Sequence, residues 1–146
     1  MTARRTLFLG FGCLLLMALP ADAGDPPIRG DLAKLQGDWT VKLSDDVMIL
    51  LEIRGKHTTS SGTLPGGQKV RLKYDLRLDE QANPKAWDWV GPVGPDGRKI
   101  DDQFAIYKLD GDTLTLCVAP STRPTEFKAG KNGIPALKVY HRVVKK

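Results

Sequence analysis

Few side chains in this chain could do covalent or metal chemistry. Beyond the first 23 residues there is one cysteine, Cys117, and the two histidines, His57 and His141, are far from it in sequence. A thiolate nucleophile needs a base or a cation beside it. On an alternating strand Cys117 shares a face with Thr113 and Thr115, while Leu114, Leu116 and Val118 take the other, so a small, semi-buried filler is expected. Two isolated histidines and one thiol do not make a set of metal ligands, and neither a metal nor a cofactor is expected. Asp110-Gly111-Asp112 lacks the further carboxylates of a calcium loop and reads as a hairpin turn. No Gly-x-Ser-x-Gly is present, and Ser60-Ser61-Gly62 falls in a polar hairpin. The carboxylate pairs Asp45-Asp46, Asp79-Glu80 and Asp101-Asp102 are adjacent, so on extended backbone their side chains diverge and cannot share a proton.

Two stretches remain as leads. Trp87 and Trp89 flank Asp88 and precede residues 91–99 (GPVGPDGRK), a Gly- and Pro-rich segment expected to form a lid beside an aromatic wall. Residues 120–135 form a long loop carrying Arg123-Pro124-Thr125-Glu126-Phe127. Either Arg123 and Glu126 present polar groups at a mouth lined by Phe127, or Phe127 plugs one end and Arg123 pairs with Glu126 or Asp88. The second reading is favoured, because a loop of that length without secondary structure must be anchored. A hydrolase built on Glu126 or Asp88 with Arg123 is a third reading that no motif demands.

The elements that must position these residues are strands. Residues 69–78 (KVRLKYDLRL) alternate strictly, with Val70, Leu72, Tyr74, Leu76 and Leu78 on one face and charged residues on the other. The same period runs through Trp39, Val41 and Leu43, and through Val47, Ile49, Leu51 and Ile53. Residues 57–61, 86–90, 104–109, 113–118 and 137–143 complete about eight strands. Residues 31–36 predict one or two helical turns with Asp31 as N-cap and Gly37 as stop. Gly66-Gly67, Asp96-Gly97, Asp110-Gly111 and Asn132-Gly133 suit antiparallel hairpins, and no long helix separates any two strands. An antiparallel meander of eight strands hides its edges by closing, so an all-β, up-and-down barrel is expected.

Arg4 and Arg5 precede an apolar run over residues 6–19, then Pro20 and Ala21-Asp22-Ala23, which predicts a signal peptide over 1–23 with cleavage before Gly24. The apolar run is too short for a spanning helix, so no transmembrane segment is expected after cleavage, and the setting is periplasmic or extracellular. Arg4-Arg5 only faintly resembles a twin-arginine signal, and the surroundings of Cys13 make a poor lipidation site. Residues 24–30 (GDPPIRG) form a linker and 31–146 one domain. The domain carries a net charge of about +4, its basic residues interleave with acids, and nucleic acid is not an expected partner.

Leu35-Gln36-Gly37-Asp38-Trp39 carries the Gly-x-Trp that opens lipocalin-type barrels, and Arg142 matches the arginine that closes over that tryptophan. Together with Asn83-Pro84-Lys85, Asp88, the run from Ile106 to Cys117 and Arg123-Pro124-Thr125-Glu126-Phe127, the chain resembles a lipocalin-like domain family of unknown function that is expanded in planctomycete bacteria. The resemblance spans residues 32–142 and implies a barrel, an extracytoplasmic setting, and Trp39 with Arg142 as its closure. It transfers no catalytic residue. The functional expectation is a non-enzymatic barrel binding a small, at least partly apolar molecule, with Tyr74, Trp87, Trp89, Tyr107 and Phe127 as lining and Arg123 and Glu126 at the mouth. The alternative is a filled barrel whose surface docks an envelope macromolecule.

Overall fold

The computed structural model describes residues 25–146, so the expected signal peptide, its cleavage site and Cys13 lie outside the described residues. A short helix, α1 (Gly30–Leu35), is followed by eight strands: β1 (Gly37–Lys42), β2 (Met48–Arg54), β3 (His57–Thr63), β4 (Lys69–Asp79), β5 (Ala86–Val93), β6 (Gln103–Asp110), β7 (Thr113–Ala119) and β8 (Ala136–Arg142). Each pairs antiparallel with its sequence neighbours and β8 returns to β1, closing an up-and-down barrel. Among the described residues no helix is long and apolar enough to cross a membrane.

Alternation does the building. Leu51 and Ile53, Tyr74 and Leu76, Trp87 and Trp89, Ala105 and Tyr107, and Leu114 and Leu116 all turn inward into one core. β3 contributes only small inward groups, Thr58, Ser60 and Gly62, whereas β4 and β5 supply the large aromatics. Burial grades along the axis. At the end covered by α1, Leu35, Trp39, Ile53, Trp87 and Leu114 are fully buried, while Ile49, Leu72 and Ala136, inward residues towards the other end, are half-buried.

The seam is uneven. β1 and β8 pair only through Trp39–Arg142 and Thr40–His141, whereas β7 and β8 pair over six positions. Val143 N donates to Asp38 O at 2.8 Å, so the odd-numbered residues of β8 turn their backbone groups towards β1. Those of Leu137 and Val139 therefore face a stretch where the ladder with β1 has ended.

Three expectations need correction. Asp31 is not the N-cap: Arg29 holds that position, and Asp31 is buried in the first turn. Residues 91–99 are not an irregular loop, because Gly91, at φ 59°, absorbs one extra residue opposite β4 and lets β5 run on to Val93. The bulge turns Pro92 into the buried set, and a tight turn closed by Gly94 N to Arg98 O at 2.9 Å caps the hairpin. Residues 120–135 carry a 3-10 turn at Lys131–Gly133 where no regular structure is expected.

Candidate functional site

The helix end of the barrel is built as a closure. Trp39 Nε1 donates to Leu35 O at 2.9 Å, and the Arg142 guanidinium lies 4.2 Å from the Trp39 ring centroid. Its terminal nitrogens donate to Lys34 O at 2.7 Å and Gln36 O at 2.9 Å, satisfying carbonyls that the helix end leaves without partners. Beside it lies a polar knot that sequence reading missed. The Asp31 carboxylate accepts from Lys85 Nζ at 2.6 Å and Tyr107 Oη at 3.0 Å, and its backbone N–H donates to Glu80 Oε1 at 2.9 Å. The Lys85 hydrogen bond, outweighing burial, holds the Asp31 carboxyl below the usual aspartate range, while burial and the Asp31 contact push the Tyr107 phenol up. A phenol held protonated is no general base, so the knot fastens α1 to the barrel.

The outer face of β5, β6 and β7 carries a second small core. Ala86, Ile106 and Cys117 form one cross-strand row, all buried, on the face opposite the barrel interior. The 120–135 loop folds back over this row: Pro124 is buried, and Cys117 Sγ lies 3.5 Å from Lys128 O. Arg123 reaches Asp88 Oδ1 at 2.7 Å and donates to Ala105 O at 2.8 Å, while Arg77 holds the other Asp88 oxygen at 3.1 Å. Of the two partners expected for Arg123, Asp88 is the one it takes.

The structure therefore separates the candidate lining residues. Trp87 is sealed in the core with its ring edge-on to Tyr107, and Tyr107 itself belongs to the closed end. Arg123, Glu126 and Phe127 do not face the interior. Glu126 is exposed, and Phe127 is half-buried in a cleft of about 280 Å³ with Asn83, Pro84, Lys85, Tyr107, Lys108 and Leu109, outside the cluster that fills the barrel. Cys117 meets neither histidine: His57 Nδ1 lies 2.7 Å from Asp75, and His141 pairs with Thr113 on the exposed side of β8. Among the described residues no cluster of three metal-ligating side chains occurs.

Tyr74 and Trp89 remain together. Their rings stack at 4.6 Å and 15°, on the inner face, where residual exposure of the interior begins. Among the described residues neither the Tyr74 hydroxyl nor the Trp89 indole nitrogen has a hydrogen-bond partner, and the same holds for Trp87 Nε1 and Thr58 Oγ1. Burial, with a smaller contribution from Tyr140, pushes the Tyr74 phenol well up, so it stays a donor. The interior holds another group that sequence reading missed. Lys138 lies opposite Leu116 on β8 and on the same face as buried Tyr140, so its side chain turns inward. The pattern LKVYHRV invites the opposite assignment, yet Leu137 and Val139 are the exposed residues. The larger clefts lie outside: one of about 700 Å³ on β1–β4 around Met48, Leu50 and Glu52, and one of about 710 Å³ within the 120–135 loop.

Comparison of the chain with protein-family models, with curated proteins and with solved structures gives no match.

Proposed function

We propose that this protein is an exported, non-enzymatic binding barrel that takes a small, partly apolar molecule at the end opposite α1. The observation that carries the reading is the pair of buried donors on the stacked Tyr74 and Trp89, which meet no acceptor among the described residues. A buried donor left unpaired costs about 1–3 kcal/mol, a cost the sealed Trp87 nitrogen also carries, but only Tyr74 and Trp89 stack together where the packing loosens. A ligand bearing an acceptor repays that cost. The solid packing around Trp39, Trp87 and Leu114 limits such a ligand to the outer half of the interior, over the small side chains of β3. Export rests on the leader-like first 23 residues. The resemblance to a lipocalin-like family supports the same setting.

One observation favours the alternative, a filled barrel that docks an envelope macromolecule. Leu43, Met48, Leu64, Ile100 and Ile134 are all exposed, and all lie on the strand ends and turns at the end opposite α1. Native mass spectrometry of the protein isolated from the exported fraction of its own host separates the two readings. A retained small-molecule adduct, released on denaturation, supports binding. A bare mass, with tryptophan fluorescence indifferent to apolar probes, supports the filled barrel and moves the search to captured partners.

A further inference from the structure

The donors on the inner wall share one property: an indole N–H and an ammonium can only donate, and a phenol held protonated donates readily. On the inner face stand the Tyr74 hydroxyl and the Trp89 indole, both without partners among the described residues, and the inward-turned Lys138. Tyr74 is 4% exposed and Trp89 8%. Lys138 has no carboxylate within ion-pair distance among the described residues, and desolvation alone holds its ammonium below the usual lysine range. Asp31, the buried carboxylate of α1, is held by Lys85 and Tyr107 at the closed end. Opposite Lys138 the seam with β1 has ended, and Ala136, two residues towards the open end, is small. A half-buried cation on β8 and two unpaired donors on the stacked aromatics of β4 and β5 thus line one interior, whose wall is least closed beside Lys138. An inward lysine also discourages edge-to-edge association of a strand such as β8, but that role leaves the Tyr74 and Trp89 donors unexplained.

We infer that the open end recognises an anionic head group, a carboxylate or a phosphate, on an apolar tail, with Lys138 as the charge partner and Tyr74 and Trp89 as donors. This rests on the binding reading above and commits it to a sign of charge. The anion pairs with Lys138 in a partly desolvated setting, where a charge-assisted bond is worth more than on an open surface. The tail lies on the Tyr74–Trp89 stack and the half-buried Ile49 and Leu72.

The test is tryptophan-fluorescence titration of the purified protein with four probes of one tail length: decanol, decanoate, decyl phosphate and decyltrimethylammonium. The expected result is that decanoate or decyl phosphate binds at least about tenfold tighter than decanol, with the ammonium probe weakest. Whichever anion binds tighter identifies the head group. Lys138→Met removes a desolvated charge and is expected to fold, to bind decanol as before and to lose the preference for the anion. Tyr74→Phe, which keeps the ring, weakens the anion alone. Equal binding of decanol and both anions, or a preference that survives Lys138→Met, overturns the inference and leaves the binding reading standing. Binding of the ammonium probe as tight as decanoate overturns it without any variant. Silence from all four probes overturns both.

Discussion

The guanidinium of Arg142, the last residue of β8, lies 4.2 Å from the ring of Trp39 on β1 while its nitrogens hold the carbonyls of Lys34 and Gln36. One side chain thereby joins the first strand, the last strand and the helix that covers their end. The seam has only two paired positions to hold it, so Arg142 carries weight that the backbone ladder does not.

Arg142→Met keeps the length and loses the fork. The expected cost is about 2–4 kcal/mol, from a partly desolvated cation–π contact and several charge-assisted hydrogen bonds. Thermal unfolding should shift down by on the order of 10 °C. Arg142→Lys should recover less than half of the loss, because an ammonium cannot serve both carbonyls while lying flat on an indole.

Asp31 predicts a pH dependence. Its folded carboxyl sits below the ordinary aspartate value of 3.8, chiefly through the Lys85 hydrogen bond. The stabilisation it supplies is therefore fully present above 3.8 and is lost as pH falls through the lower folded value. Asp31→Asn should cost about 1–3 kcal/mol at pH 7, reduced by the partial exposure of Lys85. Denaturant midpoints of wild type and variant should converge below pH 3.8, and a gap that stays constant down to pH 2 would remove Asp31 from the account.

Arg123 pins the 120–135 loop through Asp88 and the Ala105 carbonyl. In Arg123→Ala the barrel should stay intact, with a loss near 1 kcal/mol. The loop should open more often, exposing the now fully buried Cys117. Reaction of Cys117 with a thiol reagent should then accelerate about tenfold or more, with faster amide exchange confined to residues 120–135. Unchanged thiol reactivity would mean that Pro124 and the turn at Lys131–Gly133 hold the loop unaided.

Much of the barrel was legible because its strands are half-buried and obey a period of two. The run from Val70 to Leu78 could hardly be anything else, and Trp39, Gly37 and Arg142 mark the closure from both ends of the chain. What escaped was set by long-range register. Gly91-Pro92 has the composition of a loop, and only pairing with β4 reveals a bulge. Asp31 looks like a cap because its neighbours are helical, yet it bonds Lys85 and Tyr107, which lie 54 and 76 residues away. The face of Trp87 and Trp89 was open to a one-residue slip until β4 and β6 fixed both inward. Phe127 reads as a plug because a loop of that length needs an anchor, whereas Arg123 and the buried Pro124 supply the anchor on the outer side. Lys138 escaped because Leu137 and Val139 make the other face of β8 look buried. The signal that could have found it is Arg142, four residues on, which shares the inward face.

Binding at the open end is tested most directly by the three indole N–H resonances of the protein during titration with decanoate. Trp39 donates to Leu35 at the closed end and serves as an internal reference, while the Trp89 nitrogen is unpaired on the inner wall. A saturable shift of the Trp89 signal with Trp39 unmoved is the predicted result. No shift at Trp89, or equal shifts at Trp39 and Trp89, would contradict it and leave a filled barrel that works through its outer surface.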